Sequence, residues 1–458
     1  MLLGIETEYG IHAPEVPDLD PVLASAMVVQ NCPVASTRRS EPYDCMLVNG
    51  ARFYVDHAHP EYAGPEVTNA TDAVGHDLAG DRIVAAAARQ ASRELGVDLR
   101  IYKNNTDSKG ASYGCHENYL LQRSTPWRDI VAGFTGFLVS RSVVCGAGRV
   151  GLGRHGERPG FQLTQRADFF ERREGIETTR HRPLINTRDE PHADAERWRR
   201  LHVITGDANR SAWSTWLKVG SAAAVLTCLE RGTLPVFSLA DPVVAFQQVS
   251  HDLTLAAVLP LRDGGTMTAL DLQDAYCEAA LADQERHGGD VVVLQAWREV
   301  LTQLRDDPWQ CADRLDWVAR YALVSAYAER HRVGWDSPRL AALDLAWAEL
   351  DARSPFSALQ RAGRFRPFPG QLPADAETRG PSDTRAGLRG RLIAHYGEAV
   401  EAADWEWLGI RDGAGRRHRV DLADPFGHGR LTPSKEDAWP TGCSAGNPLP
   451  SDASRRST

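Results

Sequence analysis

The stretch Asn49-Gly-Ala-Arg-Phe-Tyr-Val-Asp-His-Ala-His-Pro-Glu-Tyr62 alternates apolar and polar side chains. Such alternation predicts a β-strand in which one face packs on the hydrophobic core and the other faces solvent or a functional site. The first face carries Ala51, Phe53 and Val55, and the second carries Arg52, Tyr54 and Asp56. We expect His59-Pro60 to end the strand, since proline has no amide hydrogen, and Glu61 follows directly. A cation, a phenol and a carboxylate in one row are typical of an active-site strand. An edge strand with a hydrated polar face is the alternative.

The amino-terminal segment Leu2-Leu-Gly-Ile-Glu-Thr-Glu-Tyr9 predicts a first strand with Glu6 and Glu8 on the same side. Like charges stacked on one strand face repel each other unless a cation or water lies between them. Carboxylate-rich sites suit Mg²⁺, which usually takes its remaining ligands from water and substrate phosphates. This strand is therefore a candidate metal-binding strand, with a solvated face as the alternative.

A third polar segment runs from Ile101 to Leu121, where a strand enters a glycine-containing loop and a second strand leaves it. Its side chains can bind phosphate or carboxylate groups. They are Lys103, Asn104, Asn105, Lys109, His116 and Asn118. The segment predicts a binding loop.

Composition excludes several classes of protein. The 458 residues carry a formal net charge of −9, which argues against a nucleic-acid partner. No stretch is long and apolar enough to span a bilayer, and no secretory signal opens the chain, so we expect no membrane partner. The eight cysteines show no C-x-x-C spacing, so we expect reduced thiols in a cytoplasmic protein. A zinc hydrolase built on the scattered histidines is a weak alternative, since H-E-x-x-H is absent.

Along the chain, prolines predict an irregular loop over 11–48, and apolar periodicity predicts helices over 72–95 and 211–230. A Pro- and Gly-rich stretch over 366–381 predicts a domain boundary. We therefore expect a catalytic domain over 1–375 and a small carboxy-terminal domain over 382–427. The polar segment 429–458 is expected to be disordered.

Taken together, these segments resemble the Pup ligase/Pup deamidase family, a branch of the glutamine synthetase-like carboxylate-amine ligases. Further matching segments are Gln162-Leu-Thr-Gln-Arg166, Leu184 to Asp194, Arg199-Arg-Leu-His-Val203 and Gly206-Asp-Ala-Asn209. The resemblance runs in order over roughly residues 1–427. It implies an α+β fold, in which a glutamine synthetase-like curved antiparallel β-sheet cradle is packed by helices and joined by the small carboxy-terminal domain.

The resemblance also implies ATP and Mg²⁺ as cofactors and assigns residues to them. Mg²⁺ ligands are expected at Glu6, Tyr54 and Glu61, and nucleotide contacts at Arg52, Gly64 and Trp405. Gly64 stands where relatives often have a small hydroxyl residue, so only a backbone contact is expected there. Asp56 matches the catalytic aspartate, which is a proton acceptor in the ligase and a nucleophile or base in the deamidase.

The two branches of the family catalyse opposite reactions. The segment Val55 to Tyr62 resembles the deamidase/depupylase, because ligases usually carry an extra residue between the aspartate and the histidine. Segments of the carboxy-terminal half, such as Leu343-Asp-Leu-Ala346, resemble the ligase instead. We predict hydrolysis of the carboxy-terminal Gln amide of Pup and of the Pup–lysine isopeptide bond. The alternatives are a Pup–protein ligase acting through a γ-glutamyl phosphate and a paralogous amide ligase or amidohydrolase acting on a small molecule.

The implied partners are Pup, a small acidic and largely disordered protein, and pupylated proteins. An acidic enzyme would have to build a local basic groove for such a partner. Candidate groove residues are Arg180, Arg182, Arg188, Arg197, Arg199 and Arg200, with solvated arginines as the plainer interpretation. A catalytically silent Pup-binding protein is a further alternative, and the complete Glu6, Asp56 and Glu61 set argues against it.

Overall fold

A computed structural model describes residues 1–37, 43–288 and 291–427. Its strands are β1 (Leu2–Glu8), β2 (Gly10–His12), β3 (Asp44–Met46), β4 (Arg52–Asp56), β5 (His59–Ala63), β6 (Arg100–Tyr102), β7 (Cys115–Gln122), β8 (Arg149–Leu152), β9 (Arg158–Gln162), β10 (Phe170–Gly175), β11 (Arg182–Asn186), β12 (Trp198–Val203), β13 (Leu259–Pro260), β14 (Thr266–Met267), β15 (Val400–Ala403), β16 (Trp407–Arg411) and β17 (Arg417–Asp421). The segment 429–458, predicted to be disordered, lies outside the described residues.

Twelve α-helices accompany these strands within the described residues. They are α1 (Pro21–Gln30), α2 (Ala70–Leu95), α3 (Trp127–Ser140), α4 (Ser142–Cys145), α5 (Ala212–Arg231), α6 (Pro242–His251), α7 (Ala269–His287), α8 (Val292–Asp306), α9 (Asp316–His331), α10 (Pro338–Ala348), α11 (Pro355–Arg361) and α12 (Arg385–Tyr396). The predicted helices over 72–95 and 211–230 are confirmed as α2 and α5. None of the helices within the described ranges has the length and apolar character needed to cross a membrane.

The largest sheet has eight strands in the order β10-β11-β12-β7-β1-β5-β4-β3. All of its described pairings are antiparallel except that of β10 with β11. The amino-terminal strand β1 lies inside the sheet, between β5 and β7. Side chains that lie opposite each other on neighbouring antiparallel strands share one face. The polar row of β4 is therefore extended by residues of β5, β1, β7 and β12.

The stretch that alternates apolar and polar residues forms a hairpin. Ala51 and Phe53 are fully buried, as the alternation predicts. The predicted end of the strand at His59-Pro60 is wrong, because the chain already reverses at residues 57–58 and His59 begins β5 opposite Asp56. Pro60 is tolerated within β5 because the described register between β1 and β5 stops at Glu8 opposite Glu61.

The predicted loop over 11–48 is also wrong in part, because it contains helix α1 and short strands β2 and β3. Pro21 stands at the start of α1, where its missing N–H is not needed, and the Asp20 carboxylate caps Val22 N–H at 2.9 Å. These prolines therefore mark a helix start as well as loops. The Ser25 hydroxyl of α1 donates a hydrogen bond of 2.8 Å to the carbonyl of Ala58, in the β4–β5 turn.

Most of the apolar core lies between the main sheet and helices α2 to α8. Helix α2 begins after an Asn69 cap and ends at Leu95, and it is followed by Gly96, whose φ of 66° suits a left-handed helix cap. Helix α12 and strands β15 to β17 enclose a separate small apolar cluster, which includes Leu388, Leu392 and Leu408. The division into domains at 375 and 382 stays a prediction.

Candidate active site

Three carboxylates from different strands meet at the β4–β5 hairpin. Glu8 lies directly opposite Glu61 across β1 and β5, and Glu61 lies opposite Tyr54 across β5 and β4. One carboxylate oxygen from each of Glu8, Asp56 and Glu61 lies within 4.8 Å of the other two. Burial raises the pKa of Glu61 well above its usual value, and the charges of Glu6, Glu8 and Asp56 raise it further. A dry cluster of like charges with oxygen donors fits a hard divalent cation such as Mg²⁺.

Tyr54 completes this cluster from β4. Burial raises its pKa well above the usual value, and the neighbouring charges of Glu61 and Glu6 act in the same direction. Its hydroxyl therefore stays a neutral phenol, able to donate to a carboxylate or to offer a lone pair. Tyr54 thus lies opposite Glu61 on the neighbouring strand.

Glu6 lies beside a second group of potential ligands on β7 and β12. One Glu6 oxygen and one nitrogen each of His116 and His202 lie within 4.8 Å of one another. Asn118 Nδ2 donates to Glu6 Oε1 at 2.8 Å, and His202 Nδ1 donates to Asn118 Oδ1 at 2.9 Å. Burial opposes ionisation of Glu6, but the hydrogen bond from His116 and the charges of His202 and Arg200 outweigh it and lower its pKa.

The sequence prediction grouped Glu6 with Tyr54 and Glu61 and left Glu8 out. In the structure, Glu8 is the residue of β1 that clusters with Asp56 and Glu61. Glu6 clusters with the two histidines, and its charge still acts on Glu61 and Tyr54. The Glu-x-Glu spacing of β1 was the signal that could have included Glu8, because it places both side chains on one face. The assignment of Glu6, Tyr54 and Glu61 to a metal stays a prediction.

Asp56 ends β4 at the open side of the cluster. Its side chain is 39% exposed. The next residue, His57, hydrogen-bonds to it through Nδ1, which lies 2.9 Å from Asp56 Oδ2, and this bond raises the pKa of His57. His59, at the start of β5, stacks on Tyr113 with ring centroids 4.3 Å apart and places Nδ1 3.6 Å from Glu8 Oε2. The hairpin therefore presents two imidazoles to two carboxylates of the cluster.

Arg52 lies two residues before Tyr54 on β4 and is held by a bidentate ion pair. Its Nε and Nη2 donate to the two carboxylate oxygens of Asp44 at 2.9 and 2.6 Å. The hydrogen bonds to Asp44 raise the pKa of Arg52, and its guanidinium lies 5.0 Å from the Tyr54 ring centroid. Asp44 thereby fixes the direction of the guanidinium, and Nη1, which donates to no residue within the described ranges, remains for an anionic ligand such as a phosphate.

A cleft opens next to Glu6 and is lined by Gly64 and Trp405, the other predicted nucleotide contacts. Gly64 N–H donates to the Ile5 carbonyl at 2.8 Å, and a Cβ at position 64 would lie 3.2 Å from that oxygen. A larger residue would therefore need a small shift of β1. The structure thus brings Gly64 and Trp405 into one cleft, on the side of β1 where Glu6 lies.

Two arginines supply positive charge near Glu8. Arg166 is 1% exposed, and its Nε and Nη1 have no hydrogen-bond partner among the described residues. Burial lowers the pKa of Arg166, although the charges of Glu8 and Asp207 oppose this. Burial and the charge of Arg166 lower the pKa of Arg182 to about 10. Arg182 is one of the groove candidates from the sequence, whereas Arg166 was given no role, because an unpaired buried guanidinium is visible only in the folded chain.

The six arginines proposed for a basic groove differ in exposure. Arg199 is 8% exposed, donates to Asp189 at 3.2 Å and contacts the Thr125 carbonyl, so it serves the interior. Arg180, Arg188 and Arg197 are exposed, and Arg188 pairs with Glu190 at 3.2 Å. Arg199 is therefore not available to a basic groove for Pup.

Comparison with known proteins gives one consistent result. The family described as Pup-ligase protein matches residues 1–409. A depupylase of Acidothermus cellulolyticus is 45% identical over 473 residues, covering 93% of this chain and 94% of the relative. A Pup–protein ligase of Acidimicrobium ferrooxidans is 41% identical over 442 residues, covering 93% and 95%.

Solved structures agree with the sequence relatives. The crystal structure of the complex between prokaryotic ubiquitin-like protein Pup and its ligase PafA superposes with a TM-score of 0.84 at 33% identity, covering 94% of this chain and 90% of that one. The structure of PafA in complex with ADP gives 0.77 at 34% identity, covering 84% and 87%. These matches confirm the predicted fold class, a glutamine synthetase-like antiparallel sheet cradle packed by helices. This chain belongs to the Pup-ligase protein family, whose members similar to it include depupylases and Pup–protein ligases.

Proposed function

We propose that this protein is a Pup deamidase/depupylase that depends on ATP and Mg²⁺. It would hydrolyse the carboxy-terminal Gln amide of Pup and the isopeptide bond between Pup and lysine. The observation that carries the proposal is the partly exposed Asp56 at the tip of a hairpin, within 4.8 Å of two further carboxylates. The relative of A. cellulolyticus, named a depupylase, supports hydrolysis over ligation, since its identity of 45% exceeds the 41% of the ligase.

The residues present fit the proposed cofactors. Glu8 and Glu61, with the neutral phenol of Tyr54 and the nearby Glu6, would hold Mg²⁺ against nucleotide phosphates. The cation would neutralise phosphate charge in a site that otherwise contains several carboxylates. Arg52 would contact a phosphate, and the Gly64 backbone and the Trp405 ring would line the nucleotide cleft. Support for a nucleotide comes from the ADP complex of the similar PafA.

Asp56 is the proposed nucleophile or base. Its carboxylate is open on the solvent side, so an amide carbonyl carbon or a water molecule can reach it, whereas Glu61 is 2% exposed. Hydrolysis of an amide develops negative charge on the carbonyl oxygen. The buried guanidinium of Arg166, whose Nε and Nη1 have no hydrogen-bond partner among the described residues, supplies positive charge near Glu8. Its low-dielectric surroundings make this charge interaction stronger than it would be in water.

The proposed partners are Pup and pupylated proteins, and the proposed location is the cytoplasm. Similar proteins are named for Pup, either as its deamidase/depupylase or as its ligase. Five cysteines, Cys115, Cys145, Cys228, Cys277 and Cys311, are free thiols, which supports a reducing compartment.

A mass-spectrometric assay tests the proposed function. Pup ending in Gln is incubated with the protein, ATP and Mg²⁺, beside a parallel reaction with a Pup conjugate. We expect the terminal amide to become an acid and Pup to be released from the conjugate. Attachment of Pup ending in Glu to a lysine-containing protein, with ADP formed, would identify the ligase instead. Absence of both reactions would contradict the proposal and leave a small-molecule amide as the substrate to test.

A further inference from the structure

The residue after Asp56 has an unusual backbone conformation. His57 has φ of 53°, in the left-handed region, within the turn of residues 57–58 that joins β4 to β5. Tight hairpin turns favour Gly, Asn or Asp at such a position, because a larger side chain clashes with its own backbone. A histidine at this position therefore raises the conformational energy of the turn, and another interaction must offset that energy.

Fold stability does not account for the histidine. The His57 side chain is 66% exposed, so its ion pair with Asp56 is solvated and contributes little to the free energy of unfolding. The turn itself is anchored elsewhere, since the Ser25 hydroxyl binds the Ala58 carbonyl at 2.8 Å. A glycine at position 57 would satisfy the backbone better and leave that anchor in place.

The ring of His57 does have one directed contact. Its Nδ1 lies 2.9 Å from Asp56 Oδ2. Because an ionised carboxylate can only accept, Nδ1 carries the hydrogen and donates it. A carboxylate at the end of a strand, 39% exposed and bordered by Glu8 and Glu61, would otherwise be free to rotate away from its acidic neighbours.

We infer that His57 is a positioning residue for Asp56: its strained turn conformation directs Nδ1–H at Oδ2 and fixes the orientation of the carboxylate toward the substrate. This inference rests on the proposed function. It assigns the backbone strain of the turn to the reaction, in keeping with the concentration of such strain at functional sites. A carboxylate held in one orientation reacts faster than one that samples several.

The test compares three variants in the Pup assay, with thermal unfolding measured in parallel. His57→Gly removes the ring and relieves the backbone. His57→Asn keeps a side chain that tolerates the left-handed region and retains an N–H donor. His181→Gly is the matched control, because His181 also has a left-handed φ of 48°, is 61% exposed and places Nδ1 2.7 Å from a carboxylate, that of Glu171.

We expect His57→Gly to lower kcat by about 10- to 100-fold with little change in KM, since misplacement of a reacting group has effects of this size. Its melting temperature should equal or exceed that of the natural protein. His57→Asn should recover a large part of kcat, and His181→Gly should leave kcat unchanged.

Two results would overturn the inference. The first is that the natural protein is active and the His57→Gly variant has the same kcat. The other is a His57→Asn variant that folds as well as the natural protein yet loses as much kcat as His57→Gly. A natural protein without activity toward Pup would instead contradict the proposed function, so the two failures are distinguishable.

Discussion

Glu8 on β1 and Glu61 on β5 lie directly opposite each other, so two carboxylates share one side of the main sheet beside Asp56. Opposed like charges destabilise a sheet unless a cation compensates them. This relationship joins two segments of the chain that are far apart in sequence. It suggests that the cation site and the reactive aspartate are parts of one cluster.

Replacing Glu8 by Gln should weaken Mg²⁺ binding without destabilising the fold. The amide oxygen can still accept the hydrogen bond of 2.8 Å from Gly114 N–H, but the charge is lost. Without Mg²⁺ we expect the variant to melt at a higher temperature than the natural protein, because repulsion within the cluster is reduced. With Mg²⁺ at a hundredfold excess over its Kd, the natural protein should gain roughly 2.7 kcal/mol and the variant much less.

Thermal unfolding with and without EDTA checks this prediction. Glu278→Gln is the control, since Glu278 is exposed on α7. An equal gain from Mg²⁺ in the Glu8→Gln variant and the natural protein would show that Glu8 does not contribute to the cation site.

Asp56→Asn should lower turnover by orders of magnitude while nucleotide binding is retained. The substitution keeps the shape of the side chain and removes its ability to accept a proton or attack a carbonyl, which we expect to lower kcat by about 100- to 10,000-fold. Turnover is measured by mass spectrometry of Pup and nucleotide binding by titration calorimetry. Asp98→Asn, at an exposed carboxylate that pairs with Arg100 at 2.9 Å, should remain fully active. A kcat in the Asp56→Asn variant close to that of the natural protein would remove Asp56 from the mechanism.

Glu66 should hold the carboxy-terminal segment to the catalytic sheet. It pairs with Arg385 and Arg389 at 2.6 Å each, and Arg389 lies 4.9 Å from the Trp405 ring centroid. Glu66→Gln leaves two buried guanidinium groups without their carboxylate, so we expect a loss of about 3 kcal/mol in the free energy of unfolding. Nucleotide affinity should fall as well, because Trp405 loses its support.

Urea unfolding measures this loss. Glu377→Gln, which breaks the exposed pair with Arg82, is the matched control and should cost less than about 1 kcal/mol. If both variants lost the same free energy of unfolding, the Glu66 pairs would not stabilise the fold.

Glu66 also makes this stability depend on pH. Burial opposes its ionisation, but Arg389 and Arg385 outweigh burial and lower its pKa to about 2. The folded pKa therefore lies below the unfolded value, so the contribution is complete above the usual pKa of about 4.5 and is lost as the pH falls toward 2. When urea unfolding is measured from about pH 6 down to about pH 3, the natural protein should lose more of its free energy of unfolding than the Glu66→Gln variant.

His76 should make the fold sensitive to mild acid. This residue is buried in α2, and burial lowers its pKa to about 4. The unfolded chain therefore binds a proton that the folded chain excludes, so stability is full above pH 6.5 and falls as the pH drops toward 4. The contribution of His76 to the slope of the unfolding free energy against pH should approach about 1.4 kcal/mol per pH unit. His76→Gln should flatten it in urea unfolding, whereas His331→Gln, at an exposed residue of α9, should not.

Local sequence correctly predicted which candidate residues share a strand face. The alternation of β4 placed Arg52, Tyr54 and Asp56 on one side, and the same spacing placed Glu6 and Glu8 together on β1, because a strand has a side-chain period of two. Helices α2 and α5 followed from their apolar periodicity. The loop predicted over 11–48 contained α1, because proline also opens helices when it stands at the first position.

Long-range contacts explain what was missed. Glu8, rather than Glu6, adjoins Asp56 because the register of β1 against β5 places Glu8 opposite Glu61. Arg166 has no local sequence signal for a role, because only the fold leaves its buried Nε and Nη1 without a hydrogen-bond partner among the described residues.

The sequence alone determined which faces are apolar, which strands carry carboxylates and which family the chain belongs to, because each of these depends on residue identity and local spacing. The tertiary structure alone decided which carboxylates meet, which arginines remain unpaired and how Asp56 is oriented. These depend on strand register and on the fold of segments that are far apart in the chain, and a shift of one residue in register would exchange the two faces of a strand.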